Sequence, residues 1–358
     1  MKIIQVCPRF FPDIGGIETH VYEISKRLAK DSNNEVYVYT TDPTGKLPKK
    51  QIIDGIHVRR FKSFAPNEAY FFSLQLYFAL KKQQCDVLHV HSFHAFPAFL
   101  ASSAVKDAKR VAFTAHYHPK ASTIFRHLMH KMYDPIQSKI FHKADKIICV
   151  SNHEISLVKK RFKIPRKKLV NIPNGIDAER FRRLPYCKKE NDFQILYVGR
   201  LEKYKRVQWI LYALNKILEM FPYKTINLTI VGKGPYEEKL KKQVRKLDLE
   251  DFVTFKSGLS NDELMEEYCR CDVFVMPSEY EAFSISTLEA LSCGRPVIVS
   301  NIGFLSEISK NNGLTINSKE DLVKGLSSII EKGIKVNFDF RKYSWDNIAN
   351  QTFKVYVE

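Results

Sequence analysis

No stretch of this 358-residue chain supplies the roughly 18 consecutive apolar residues that a spanning helix needs. The longest uncharged run, residues 87–105, is broken by His89, His91, His94 and Pro97. A multi-span membrane protein is thereby excluded. Cysteine is sparse: Cys7, Cys85, Cys149, Cys187, Cys269, Cys271 and Cys293, with no CxxC and no Cys/His zinc spacing. Buried free thiols in a reducing compartment are the expected reading. The start, residues 1–6, runs straight into a strand-like segment, so no signal or transit peptide is read and a cytoplasmic location is the default. Repeats and low-complexity segments are missing. No GxGxxG follows the first strand, which weighs against a Rossmann-type dinucleotide-dependent oxidoreductase. No zinc, RNP or clear helix-turn-helix signature is present, so no nucleic-acid partner is expected. What remains is ordinary for a globular protein of two domains: 44% hydrophobic and 27% charged residues. That composition excludes a collagen-like chain, a coiled-coil rod and a disordered protein.

Acidic residues are short in one half only. The net charge is +18, and residues 1–185 hold 32 Lys/Arg against 15 Asp/Glu, whereas residues 186–358 hold 25 against 24. An anionic partner of the first half would explain the asymmetry; so would a solubilising lysine-rich surface.

Short β-branched runs alternate with amphipathic ones. Strands are expected at 2–7, 35–40, 58–60, 87–91, 110–114 and 146–150, then at 194–198, 226–231, 253–256, 273–276 and 297–300. Helical periodicity lies between most of them, as in 18–29, 208–220 and 235–246. Strands flanked by helices imply parallel sheets covered on both faces. The predicted fold is α/β: two Rossmann-like, doubly wound domains, 1–183 and 184–343, facing a central cleft, with a break near 181–190. Ligands of such sheets bind beyond the carboxyl ends of the strands, so functional motifs should follow strands.

They do. Gly15-Gly16 sits between the first strand and a helix, where backbone N–H groups meet an anion with the helix dipole behind them, or where a tight turn is simply needed. His89 and His91 share a strand face, with His94 just beyond; strand-end packing or acceptor contact suits them better than a metal. His116 ends the next core strand, where a substrate contact and a structural role are equally open. Ser151 is placed as an N-cap, and Asn174-Gly175 as a turn. Gly199-Arg200, with Lys205, puts two cations before a helix start, which the dipole disfavours unless an anion binds between them. Gly232-Lys233-Gly234-Pro235 repeats the strand–glycine–helix theme. Glu281 precedes a helix and Glu289 lies inside it, among Leu288, Ala290 and Leu291. That spacing lets one carboxylate face a reacting carbon and the other a ribose.

With the Glu281–Glu289 pair (an E-x7-E motif), Gly199-Arg200 with Lys205, and Asn174-Gly175-Ile176-Asp177, nearly the whole chain resembles the retaining nucleotide-sugar glycosyltransferases of the GT-B fold. The resemblance is to family 4, also called group 1, which includes phosphatidylinositol mannosyltransferases. It implies that Arg200 and Lys205 grip the donor diphosphate and that Gly16, beside Gly15, offers a backbone N–H to it. Glu281 would lie near the donor sugar, Glu289 at the ribose hydroxyls and His116 near the sugar. Backbone amides of Ala282, Phe283 and Ser284 would face sugar and phosphate, with Gly199, Gly232 and Gly234 lining the donor site. The last helix, 344–358, would cross back onto the first domain. The usual E-G-F-G reads here Glu281-Ala282-Phe283-Ser284, and the loop 301–307 lacks the family's second glycine and proline, changes that crowd the donor pocket.

No Asp-x-Asp motif is found, so no metal or other cofactor is expected and Arg200 and Lys205 carry that role. The implied activity is retaining transfer of a hexosyl unit from a UDP- or GDP-sugar to an acceptor hydroxyl, of a lipid-linked saccharide or glycolipid. A soluble acceptor is the alternative; a UDP-sugar epimerase would lack the motif combination. Basic and aromatic residues mix in 122–143, and 159–168 holds seven basic residues in ten. An anionic membrane surface, with peripheral attachment to the inner face of the cell membrane, is expected from them.

Overall fold

The computed structural model describes residues 1–358 except 14, 67–69, 118–134, 136, 178–179, 181–191 and 282. The chain forms two compact units: Met1–Gly175 together with Tyr343–Glu358, and Ile176–Lys342. Each is a mostly parallel sheet with helices on both faces.

The first unit orders its eight strands β3-β4-β2-β1-β5-β6-β7-β8. They are β1 (Lys2–Val6), β2 (Glu35–Asp42), β3 (Lys50–Ile53), β4 (Ile56–Lys62), β5 (Cys85–His91), β6 (Ala108–Thr114), β7 (Lys146–Cys149) and β8 (Leu169–Asn171). All neighbours pair in parallel except β3 with β4. That exception comes from Asp54-Gly55, both at positive φ (47° and 80°), a two-residue turn whose twist closes a hairpin. The sequence reading missed β3 because its exposed residues carry no apolar alternation. It also missed the three-residue β8.

Helices α1 (Gly16–Leu28), α2 (Leu74–Lys81), α3 (Phe96–Ala104), α4 (Lys139–Lys143) and α5 (Asn152–Phe162) cover the sheet, joined by the terminal α12 (Trp345–Val357). Val21, Ile24 and Leu28 of α1 share one core with Trp345, Ile348, Val355 and Tyr356 of α12 beneath β1 and β2. The other face packs Leu76, Leu80, Ala98, Ala101, Phe113 and Phe141. Burying these side chains supplies the main drive to fold, at about 1.5–3 kcal/mol for each valine, leucine, isoleucine or phenylalanine.

The second unit orders its strands β11-β10-β9-β12-β13-β14: β9 (Asp192–Val198), β10 (Thr225–Val231), β11 (Val253–Lys256), β12 (Val273–Met276), β13 (Val297–Ser300) and β14 (Gly313–Ile316). All five pairings are parallel. β12 and β13 are buried at every position, as sheets covered on both faces require. Its helices are α6 (Val207–Met220), α7 (Glu237–Lys246), α8 (Asn261–Arg270), α9 (Ile285–Ser292), α10 (Gly303–Ser309) and α11 (Lys319–Lys332). Strand order reverses at β1/β5 in one unit and at β9/β12 in the other, and those are the ligand-binding ends of such sheets. No helix among the described residues is long and apolar enough to cross a membrane.

Candidate active site

In the first unit, β1 feeds the loop that ends at Gly15, the N-cap of α1. A Cβ on Gly15 would stand 2.4 Å from Oε2 of Glu18, which is buried and accepts from Arg9 Nε at 3.0 Å. A Cβ on Gly16 would meet nothing within 4 Å. Gly15 therefore makes room for a neighbour, while Gly16 leaves the start of α1 open to a ligand.

One turn further along α1, His20 is buried against His91 at the end of β5 and His116 beyond β6, with ring centroids 5.7 and 5.3 Å away. Ring nitrogens of the three lie within 4.8 Å of one another, and both of His20, Nδ1 of His91 and Nε2 of His116 lack partners. His91 Nε2 faces Gln5 Oε1 at 2.9 Å, and Gln5 Nε2 in turn donates to Ser25 Oγ. That fixed amide makes His91 Nε2 the protonated nitrogen and leaves Nδ1 a lone pair. Burial pushes His116 down to about 4 and His91 and His20 well below the usual histidine range. The trio is thus neutral and able both to donate and to accept. Among the described residues it is the set whose geometry suits a cation; it suits sugar hydroxyls equally. The His89/His91 pairing weighed in the sequence does not make a metal site, since both ring nitrogens of His89 are engaged, by Tyr356 (2.6 Å) and Thr114 (2.7 Å). His118 lies outside the described residues.

Two residues hold this cluster in place. Glu154, capped by Ser151 (3.1 Å), accepts the N–H of Tyr117 at 2.5 Å and of Val150 at 2.6 Å, fixing the strained turn at His116 (φ 45°). Trp345 packs on His20 and against Gly175, where a Cβ would strike its ring at 2.4 Å. Asn174-Gly175, read as a turn signal, owes its glycine to that close approach. Sequence spacing marked neither His20 nor Trp345; only the helical step from Gly16 to His20 hinted at the first.

In the second unit, β9 ends at Val198 and the chain passes through Gly199 and Arg200 into a 3-10 turn, Lys203–Lys205. Lys205 is 9% exposed and donates to Glu281 Oε2. An ammonium so far out of water needs a paired charge, and Glu281 supplies it. Tyr204 stacks on Tyr280 (4.1 Å, 11°), and Glu279 N–H donates to Tyr204 O at 2.7 Å, tying the β9 and β12 loops together. Burial and the Glu281 charge push Tyr204 up to about 12. Arg200 is largely exposed and touches Glu202 at 3.2 Å.

Gly232 and Gly234 have a packing reason. A Cβ on Gly232 (φ 147°) would lie 2.0 Å from Gly199 O, and one on Gly234 2.3 Å from Leu201 O. Leu201 N–H donates to Lys233 O at 3.0 Å and Gly199 N–H to Val231 O at 3.0 Å. The glycine pair lets the β10 loop press on the Arg200 loop and hold its course.

Glu289, half-buried on α9, accepts from Tyr268 Oη at 2.7 Å. Burial raises its carboxyl above the usual carboxylate range, only partly countered by that hydrogen bond and by Arg180. Ser284 caps α9, accepting from Thr287 N–H and from its hydroxyl (2.8 Å). Phe283 stacks on Phe304 (3.9 Å) beside the glycine that opens α10. Ala282 lies outside the described residues. Lys205 and Glu281, 76 positions apart, are brought into contact, and Glu289 stands on the helix that follows Glu281.

A family profile described as glycosyltransferase family 4 matches residues 14–180, and one described as glycosyl transferases group 1 matches residues 181–344. An uncharacterized glycosyltransferase of Methanocaldococcus jannaschii is 28% identical over 99% of this chain and 98% of its own length. A GDP-mannose:cellobiosyl-diphosphopolyprenol alpha-mannosyltransferase of Komagataeibacter xylinus is 24% identical over 100% of this chain and 94% of its own. Among solved structures, a sucrose-phosphate synthase of Thermosynechococcus elongatus has the same two-domain GT-B fold, with a TM-score of 0.79 at 19% identity over 99% of this chain and 98% of that one.

Proposed function

Because the chain belongs to the family 4, group 1 glycosyltransferases, we propose that it moves a hexosyl unit from a nucleoside diphosphate sugar to an acceptor hydroxyl with retention. The acceptor is a lipid-linked saccharide or glycolipid, and the enzyme works as a peripheral protein on an anionic membrane. The K. xylinus relative, named for a diphosphopolyprenol acceptor, supports that choice. A dinucleotide-dependent oxidoreductase, the second reading, would need a GxGxxG after the first strand, which Gly15-Gly16 does not supply.

The chemistry follows from charge. The C1–O bond to the diphosphate breaks, C1 becomes oxocarbenium-like, and negative charge grows on the leaving phosphate. Fixed cations at that place lower the barrier without reorganising. Lys205 is such a cation, held in position by Glu281, and Arg200 adds a second charge from the same loop. The N-terminus of α9 adds its dipole. Glu289, steadied by Tyr268, suits the two ribose hydroxyls as a double acceptor. In the first unit, taken by itself, the open backbone at Gly16 suits an anion and neutral His116 suits a hydroxyl. The acceptor oxygen attacks C1 on the face the leaving group vacates, and its proton passes to the departing phosphate oxygen. No step needs a metal.

The observation that carries this reading is the enclosed Lys205–Glu281 pair at the β9/β12 reversal. A thermal-shift screen of UDP, GDP, ADP and NAD, followed by NMR of the glycoside formed from the stabilising nucleotide's sugar, tests it. Stabilisation by a nucleoside diphosphate and a product of unchanged anomeric configuration are expected. Stabilisation by NAD alone, or an inverted product, contradicts it.

A further inference from the structure

Five of the eight exposed large apolar side chains among the described residues fall between positions 52 and 78: Ile52, Phe64, Leu74, Phe78 and, less open because its ring packs on Phe96, Phe72. Phe64 is 73% exposed, Phe78 58% and Leu74 57%. Four of them are neighbours. Phe64 and Phe72 face each other in an antiparallel bridge with backbone hydrogen bonds of 2.8 and 2.9 Å, which puts their side chains on one side. Leu74 and Phe78 are four apart on α2 and share its outer face. Lys81 and Lys82, one turn on, continue that face as exposed cations. A soluble surface does not normally gather aromatic rings this way without a partner.

Beside the ridge runs a groove of about 560 Å³ between α2 and β4, walled by Lys49, Lys50, Arg59, Lys62, Gln75 and Ala79 among others. Its one carboxylate, Asp42, is held by Thr44 and by the Leu47 N–H. Residues 43–82 carry eight Lys/Arg against two Asp/Glu. Lysine is depleted at the cores of protein–protein interfaces, so a ring of lysines around exposed aromatics fits a lipid surface better than a protein. Anionic bilayers attract such cations while the rings enter the acyl boundary. The groove lies at the carboxyl ends of β2 and β4, which run parallel to β1, so it shares a sheet edge with Gly16.

We propose that the outer face of α2 and the Phe64–Phe72 bridge form a docking surface for an anionic lipid bilayer, with the Lys49–Lys62 groove receiving a lipid head-group phosphate. This rests on the lipid-acceptor reading above and gives it a face. The segment 122–143, expected in that role, lies largely outside the described residues, and docking here does not require it.

The test is co-sedimentation with vesicles of phosphatidylcholine alone or mixed with phosphatidylglycerol, at low and high salt. The full chain is compared with Phe64→Ser/Phe78→Ser and with Lys49→Gln/Lys50→Gln/Lys62→Gln. Binding should need the anionic lipid and weaken with salt, and the lysine variant should lose roughly fivefold affinity per cation removed. The phenylalanine variant should lose about tenfold or more. Both variants should retain turnover of donor on a water-soluble acceptor, which also shows that they are folded. Phe78→Trp should blue-shift its emission on anionic vesicles. Undiminished binding by both variants overturns the docking face but leaves the lipid-acceptor reading standing. Absence of wild-type binding at low salt overturns the docking face as well. A lipid-free dimer that Phe78→Ser dissociates assigns the face to a second copy, and so overturns the proposal.

Discussion

At the scale of single residues the account turns on charge taken out of water. Lys205 and Glu281 are each mostly enclosed and each is the other's partner. Removing one leaves the other buried and unpaired, which costs more than the pair contributes. Lys205→Ala and Glu281→Gln should each lower turnover by about 10²–10³. The double variant should be little worse than either single one, because the two act as a unit; multiplied losses in steady-state rates would show that they act separately. The buried histidines give a second prediction. Burial pushes His116 down to about 4 and His89 down to about 3, from the ordinary imidazole value near 6.5. The unfolded chain therefore binds more protons between those limits, and stability drains away as pH falls from about 6.5 towards 4. Glu154 works the other way, since burial pushes it up to about 7 and its carboxylate becomes more costly to keep buried as pH rises above the ordinary carboxylate range. Glu289, also raised by burial, acts in the same sense as Glu154, and the four lowered histidines, counting His20 and His91, outweigh the two acids. Denaturant midpoints should drop between pH 7 and pH 5, within the window set by burial. A flat or rising midpoint contradicts the neutral cluster.

At the scale of elements, glycines separate what the sheet needs from what the ligand needs. Gly232→Ala would place a Cβ 2.0 Å from Gly199 O at a φ of 147°, so it should destabilise the second unit by several kcal/mol and shift its unfolding transition. Gly16→Ala meets open space and sits at the first turn of α1, so stability should stay within about 0.5 kcal/mol while turnover falls. Equal losses of stability in the two would remove the distinction. Sequence spacing could not make it, because paired glycines after a strand look alike in both units. Legibility followed burial. Runs such as Val273–Met276 and Val297–Ser300 are apolar because both sheet faces are covered, and their strands stand where the residues implied. The edge strand Lys50–Ile53 and the short Gly313–Ile316 lack that signal, and their pairing depends on a turn and on a neighbour rather than on their own residues.

At the scale of the whole chain, two doubly wound units were readable from the alternation of strands and helices, and the family from its resemblance at Glu281–Glu289, Gly199-Arg200 with Lys205 and Asn174-Gly175-Ile176-Asp177. What the sequence hid was convergence. His20, His91 and His116 stand on three separate elements, and parallel pairing around β1 and β5 gathers them. The positive excess of the first half was visible, but the aromatic ridge within it was not, because Phe64, Leu74 and Phe78 look like core residues until their exposure is known. The central claim is that the leaving diphosphate is balanced by Lys205 with Arg200, and the ribose by Glu289, without a metal. Its most direct measurement is the rate at which the stabilising nucleotide's sugar is turned over by wild type, Lys205→Ala and Glu289→Ala, each with and without EDTA. The account predicts losses of about 10²–10³ in the lysine variant, a raised KM in the glutamate variant, and no effect of the chelator. Near-normal rates in both variants, or wild-type activity abolished by EDTA and restored by a divalent cation, would contradict it.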